Sequence, residues 1–280
     1  NMKTTKLIAL FTIVIFALSC KKEKQKEITC NITSVIADDS ATISYNSSNK
    51  ISNIKIFNTP DIINIDFMNE GGFHKETITT NNISLPGFTI NYSLNANGFI
   101  DRFQQTITNP SVYVNIFRCK YDAEGHLILH EHKVTKSGSP YSYDKDSSVY
   151  ENGNMTKLFR FMSLIRDTVT TSLNSTTLIT YNTQINTAGL YINQLMAPNN
   201  IVGTSTYYLK NFPYIFHLYG KGCKNLPISS TTTFSSGASG YAFSFDYTIN
   251  ENNLITSQTI NRTPTTVSFP KISRFYYECN

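Results

Sequence analysis

The sequence predicts an all-β protein, an antiparallel meander of hairpins curled into a barrel or half-barrel, with few or no helices. Three observations support this fold class. Apolar and polar residues alternate with a period of two in many segments, as in strands with one buried and one wet face. Short runs rich in Asn, Asp and Gly separate these segments. Thr, Ser and Asn are abundant throughout the chain, which suits exposed strand faces and turns.

The first 19 residues have the features of a signal peptide. Lys3 and Lys6 precede an apolar run at positions 7–17. This run is too short to cross a bilayer, since a membrane-spanning helix needs about 20 residues. A positive start, a short apolar core and small residues before the cut predict an exported chain. Cys20 then resembles the lipidated cysteine of a bacterial lipobox; the alternative is an ordinary signal peptide in which Cys20 is incidental.

Residues 20–27 are interpreted as the lipidated cysteine and a basic tether, and residues 28–280 as a single β-barrel-like domain. The chain has a formal net charge of +5. Most of this charge lies in the signal peptide and the tether, so the body is nearly neutral. Nucleic acid binding needs a concentrated basic face, and we therefore expect no nucleic acid partner. The tether lysines suit anionic headgroups, although a solvated linker would have the same composition.

A weak internal repeat covers about residues 85–280. Each unit has an aromatic-bearing strand, a turn, and a second strand that opens on an apolar residue, which together predict a β-hairpin. The turns at 96–98, 123–125 and 151–154 contain Asn or Gly, which tolerate the positive φ that hairpin turns require. The segment "SYNSSNKISNIKIF" from Ser44 is a degenerate first unit.

Helical periodicity is scarce. Residues 158–166 and 189–196 each fit a short helix, and no other part of the body does so.

The repeated hairpins resemble those of a Bacteroidetes-type lipoprotein family, a domain of unknown function with a porin-like fold. The resemblance rests on "YSLNANGFIDRF", "CKYDAEGHLILHEHK" and "FDYTINENNLITSQ", together with Cys20 and the basic tether. The resemblance implies a porin-like architecture and an exported protein. The family has no catalytic residues that could be assigned to this chain. Because Lys21 follows Cys20, resemblance to other lipoproteins implies the outer membrane, with the periplasmic or surface face left open.

Four cysteines follow the tether: Cys30, Cys119, Cys223 and Cys279. An exported chain meets an oxidising compartment, so three disulfide connectivities and buried free thiols all remain open. A bridge between Cys30 and Cys279 would tie down both ends of the body.

His130 and His132 are weak candidates for metal ligands. They lie two apart on a predicted strand, so they share one face and present two imidazoles together. The sequence points to no third ligand, and the favoured interpretation is two solvated histidines on a polar strand face. We therefore expect no metal.

Asp144, Asp146 and Ser148 have the opening spacing of a calcium-binding loop. Val149 and Met155 occupy the positions that require Gly and a bidentate Glu, so the segment is interpreted as a polar turn.

The chain contains no nucleophile motif, glycine-rich phosphate loop or dinucleotide fingerprint, so we expect neither enzymatic activity nor a cofactor. Its aromatics are biased, with 17 Tyr and 18 Phe but no Trp. Five of them recur at equivalent points of the repeats and are candidate ligand-facing aromatics: Tyr92, Tyr121, Tyr143, Tyr181 and Phe245. The other interpretation is a structural stripe packed in the core.

Three functions follow from these alternatives. A binding module for an apolar or glycan ligand would line a cavity with the repeated aromatics. A structural or interaction lipoprotein would pack the same aromatics in a filled core. A metal-dependent enzyme would need His130 and His132 to converge with a further ligand.

Overall fold

The computed structural model describes residues 30–36, 40–47, 51–58, 61–70, 73–80, 88–108, 111–163, 172–187, 219–264 and 270–279. The predicted signal peptide, Cys20 and the whole tether, and the helix predicted at 189–196 lie outside these residues. Within them there is no helix, and so none long and apolar enough to cross a bilayer. The described residues divide into two units, 30–31 with 277–279 and 32–276.

Sixteen β-strands occupy the described ranges, and each is antiparallel to its neighbours in the chain. They are β1 (Cys30–Ile36), β2 (Ser40–Tyr45), β3 (Ile51–Asn58), β4 (Asp61–Glu70), β5 (Phe73–Thr80), β6 (Phe88–Leu94), β7 (Ile100–Thr108), β8 (Val112–Tyr121), β9 (Leu127–Lys136), β10 (Ser139–Glu151), β11 (Asn154–Met162), β12 (Ser172–Ile185), β13 (Asn225–Phe234), β14 (Tyr241–Ile249), β15 (Ile255–Thr263) and β16 (Lys271–Cys279). The predicted all-β hairpin meander is confirmed.

The strand order is that of a closed barrel, with β1 beside β16. Within the larger unit, the Thr33 hydroxyl of β1 donates to the Tyr276 carbonyl of β16 at 3.4 Å.

The smaller unit contains a disulfide between Cys30 and Cys279, with an S–S distance of 2.05 Å. Cys119 and Cys223 are buried free thiols. Of the arrangements that the sequence left open, the structure therefore has one disulfide and two free cysteines.

Three turns of the repeat share one hydrogen-bond pattern. Each begins with an Asx residue whose side-chain oxygen accepts from the backbone N–H groups two and four residues later, at 2.8–3.1 Å. These residues are Asn95, Asp122 and Asn250. The third residue after each Asx has positive φ, namely Gly98 (79°), Gly125 (93°) and Asn253 (59°). Asx side chains favour such turns because they replace a backbone acceptor.

Two local predictions are wrong. Residues 158–162, predicted to begin a short helix, continue β11, where the backbone pairs with β10 and β12 on both sides. Asp144, Asp146 and Ser148 lie within β10 and not in a turn. Their spacing of two is the period of a strand, and it places all three on one face.

One end of the barrel is here called the turn end because the three Asx turns lie there, and the described side chains that follow these turns are packed. Ile100, Met155, Leu226 and Ile255 follow its turns and are each at most 2% exposed. Residues 219–224, here called the floor segment, cross the same end. The Lys221 N–H donates to the Gly125 carbonyl, and the Lys224 N–H donates to the Gly153 carbonyl, both at 2.8 Å.

Candidate binding site on the inner wall

An ion pair lies on the inner face of β10 and β11. Arg160 and Asp146 are opposite each other in register, and the guanidinium Nε and Nη2 donate to the two carboxylate oxygens, both at 2.9 Å. The negative charge of Asp146 raises the pKa of Arg160, and burial opposes this rise. A guanidinium has five N–H groups. No other described residue accepts from those that Asp146 leaves unused.

Water reaches this ion pair. The side chains of Arg160 and Asp146 are 24% and 25% exposed, in contrast to the fully buried residues at the turn end. We call the opposite end of the barrel the open end; there β9 joins β10 at residues 137–138 and β13 joins β14 at residues 235–240. Toward the open end the inner wall is partly exposed at Arg160 and Asp146, while Ser175, opposite Arg160 in register, is buried.

Aromatic rings accompany the cations toward the open end. Tyr241, at the start of β14, lies under the guanidinium of Arg262, with 5.0 Å between the guanidinium carbon and the ring centroid. Arg160 is opposite Ser175 in register, and Ser175 is opposite Phe234 of β13. Phe234 meets Tyr241 edge-on at 5.9 Å. Such cation–π and edge contacts hold the ring in place.

A second cluster of this kind lies at the open end. The Lys136 ammonium is 5.4 Å from the centroid of Tyr113 and 5.8 Å from that of Tyr141. The two rings meet edge-on at 5.7 Å, and Tyr141 is 43% exposed. Cations paired with aromatic rings therefore occur on two different parts of the wall.

His132 is held from both sides on the inner face. Its Nδ1 lies 3.1 Å from the Asp144 carboxylate, and its Nε2 lies 3.0 Å from the Asn115 amide oxygen. Its ring stacks on Phe117 with centroids 4.2 Å apart. His132 is buried. The expectation that it is solvated on a polar face is therefore wrong, because the face that carries it points into the barrel.

His130 lies on the same face as His132, opposite Cys119 and Asp146 in the register of the neighbouring strands. Its ring contacts Tyr219 of the floor segment edge-on at 5.8 Å. Among the described residues, no group of three or more His, Cys, Asp or Glu is arranged to hold a metal ion. Metal binding by the two histidines thus has no third ligand in this part of the chain.

Two of the candidate aromatics join neighbouring hairpins. The Tyr121 hydroxyl of β8 donates to the Ile100 carbonyl of β7 at 2.7 Å, and the Tyr181 hydroxyl of β12 donates to the Met155 carbonyl of β11 at 2.8 Å. Tyr45 of β2 makes the same bond to a carbonyl of β1. The repeated tyrosine therefore links the end of its strand to the start of the preceding one.

The other candidate aromatics have different surroundings. Phe245 is 3% exposed and packs with Phe243 and Ile260. Tyr143 lies on the outer face and donates its hydroxyl to Glu131 at 2.6 Å; burial, together with that carboxylate, raises the pKa of Tyr143 to about 12.

The fifth candidate, Tyr92, is described only through its backbone, which pairs with β5 and β7. The packed contacts of Tyr121, Tyr181 and Phe245 are those expected of a filled core. Contact of any of the five with a ligand stays a prediction.

Sequence reasoning missed Arg160 and Arg262 as residues of the inner wall. The sequence did contain a signal for an inward position. Each of these arginines has an apolar residue two positions away in its own strand, on the same strand face. The pairing of Arg160 with Asp146 needs the register of β10 and β11, which the sequence alone does not give.

Solved structures that resemble this chain include two porin-like proteins. One is a porin-like protein from Bacteroides uniformis ATCC 8492, with a TM-score of 0.57 and 11% identity, covering 89% of this chain and 95% of that chain. The other is a porin-like protein from Bacteroides vulgatus ATCC 8482, with a TM-score of 0.59 and 12% identity, covering 88% and 98% respectively. The chain has a porin-like fold. No protein-family model and no curated protein matches the sequence.

Proposed function

We propose that this protein is an exported lipoprotein, anchored in the outer membrane through lipid on Cys20, whose barrel stays in water and binds a ligand without catalysis. The observation that carries the proposal is the contrast between the two faces of the barrel. The outer face of β7–β10 and of β12–β15 carries polar rows at mid-height, whereas the described inner wall combines aromatic rings with a half-buried ion pair.

A belt of charge crosses the outer face of β7–β10. Arg102, Arg118, Glu131 and Lys145 lie directly opposite one another in register on consecutive strands. Their sequence neighbours Phe103, Phe117 and His132 point inward and are buried. A membrane-spanning barrel presents an apolar band about 25 Å tall, and each Arg or Lys at the bilayer midplane costs about 2–4 kcal/mol. The belt therefore supports a water-facing barrel.

The outer face of β12–β15 is also polar. Thr180, Ser229, Ser244 and Asn261 form one cross-strand row, and the hydroxyls of Thr180 and Ser229 are hydrogen-bonded at 2.7 Å. Hydroxyl and amide groups in such a row favour contact with water over contact with acyl chains. If the barrel does not enter the bilayer, an acyl chain on Cys20 and the basic tether supply its membrane attachment.

The inner wall supports a binding role. Barrels with this many strands are wide enough to enclose space. The floor segment is hydrogen-bonded to the β8–β9 and β10–β11 turns at the turn end, so we expect a ligand to enter from the open end. This arrangement fits a container better than a channel.

The second candidate function is a structural or interaction lipoprotein with a filled core. The buried Phe245 and the hydrogen-bonded Tyr121 and Tyr181 favour it at the turn end. The half-buried ion pair and the aromatic rings toward the open end favour the binding module.

Membrane extraction tests the proposal. We expect the full chain to fractionate with membranes, and the full chain with C20A to be recovered in the soluble fraction without detergent. An alkaline carbonate wash should leave the wild-type chain in the pellet. The proposal fails if C20A remains in the pellet after that wash, because the barrel would then be inserted in the bilayer.

A further inference from the structure

We infer that the inner wall around Arg160, Asp146 and Tyr241, here called the open-end site, binds sugar rings of a glycan. This inference rests on the proposed binding function and names its ligand class. The sequence left apolar and glycan ligands open, and the charges on the inner wall separate them.

The ion pair supplies both kinds of hydrogen-bonding group that sugar hydroxyls need. Arg160 is fixed by two bonds to Asp146 and keeps unused N–H donors. Asp146 has lone pairs beyond those that accept from Arg160, since a carboxylate has about four acceptor positions. Neighbouring hydroxyls of a sugar ring both donate and accept, so they match a donor and an acceptor held side by side.

Tyr241 supplies the apolar part of the site. A sugar ring has a face of C–H groups, which packs on an aromatic ring, and an edge of hydroxyls, which needs polar partners. Phe234 lies in the same cross-strand row as Arg160, through Ser175. Phe234 meets the Tyr241 ring edge-on, while Arg262 holds the face of that ring. A fixed ring beside fixed polar groups therefore offers both surfaces without reorganisation on binding.

A buried hydroxyl provides a second, independent observation. Ser230 on β13 is 1% exposed, and its Oγ has no hydrogen-bond partner in the described part of the chain. In register, Ser230 is opposite Phe243, and Phe243 is opposite Arg262. A buried polar atom without a partner is unfavourable, so a polar group supplied from outside the chain would stabilise this part of the wall.

An apolar ligand fits the site poorly. It would remove water from Arg160 and Asp146 without supplying hydrogen bonds in return, and desolvating charged groups in that way is unfavourable. A glycan replaces the lost water with hydroxyls.

The test uses the full chain carrying C20A on an array of bacterial, plant and host glycans. Two pairs of variants are compared: Y241A with Y276A, and R160K with R274K. Tyr276 and Arg274 lie on the exposed strand β16 and serve as matched controls. R160K keeps a positive charge beside Asp146, so it limits the risk of unfolding. Thermal unfolding and near-ultraviolet circular dichroism check that each variant is folded.

We expect the parent to be retained on a subset of glycans. Retention should weaken about tenfold or more in Y241A and R160K, as for the loss of one or two hydrogen bonds or contacts. It should be unchanged in Y276A and R274K. If folded Y241A and R160K are retained as strongly as the parent, the proposed site is overturned.

Native mass spectrometry of the same protein separates the two levels of the proposal. If no glycan is retained and a different bound molecule is found, the glycan inference fails while the binding function stands. If neither a retained glycan nor any bound molecule is found, both fail.

Discussion

At the scale of single residues, one hydroxyl connects two hairpins. The Tyr181 hydroxyl donates to the Met155 carbonyl and lies 3.3 Å from the Cys223 sulfur, which in turn accepts from the Met155 N–H at 3.4 Å. Burial raises the pKa of Tyr181, with the neighbouring Cys223 adding to the rise. The phenol therefore stays protonated and remains a donor. The same role of Tyr121 explains why tyrosine recurs in the repeat without any need for a ligand.

Replacing Tyr181 by phenylalanine tests this role. The Y181F variant removes the donor and leaves the buried Met155 carbonyl without that bond. We expect the free energy of unfolding to fall by about 1–2 kcal/mol, measured by urea unfolding. Y276F, at an exposed position, should change it by less than about 0.5 kcal/mol. Equal effects in the two variants would mean that the hydrogen bond contributes nothing.

At the scale of elements, the repeat could be predicted and its exceptions could not. Asn95 and Asp122 begin Asx turns at the predicted turns 96–98 and 123–125, because turn chemistry is local. The predicted helix at 158–166 is wrong at residues 158–162, because pairing with two neighbouring strands outweighs a weak local preference. The floor segment had no signal in the sequence, since its contacts are to turns about 70–100 residues away along the chain.

Two glycines with positive φ test the floor segment. A Cβ at Gly220 would lie 2.3 Å from the Gly125 carbonyl oxygen, whereas a Cβ at Gly98 would meet nothing within 4 Å. Both alanine variants bear the cost of positive φ, about 1 kcal/mol or somewhat more. We expect G220A to lose clearly more stability than G98A in urea unfolding, because the segment must also move away from the turn. Similar losses would show that the floor segment does not contact the turn closely.

At the scale of the whole molecule, a fold shared with porin-like proteins does not decide the environment of the barrel. Fold and function are separable, and the side chains on each face determine what the barrel contacts. Here Arg118 and Glu131 face outward at mid-height, while Arg160 and Asp146 face inward. The period of two in the sequence predicted two different faces. Only barrel closure decided which of them became the inner wall.

The disulfide gives a prediction at this scale. Cys30 and Cys279 are 249 residues apart in sequence, so their bridge restricts nearly the whole unfolded body. We expect the double variant C30S/C279S to lose about 2–4 kcal/mol of unfolding free energy. Reduction with dithiothreitol should lower the urea midpoint of the parent and leave that of the double variant unchanged. A parent midpoint that is insensitive to reduction would contradict a stabilising bridge.

The sequence by itself determined the strand periodicity, the turn positions and the all-β class, because these depend on residues that are neighbours in the chain. It also supplied the prediction of export and lipidation at Cys20. The tertiary structure decided the pairing of Cys30 with Cys279, the inward direction of His132, and the meeting of Arg160 with Asp146 beside Tyr241. These depend on strand register and barrel closure, where a shift of one residue would exchange the inner and outer faces.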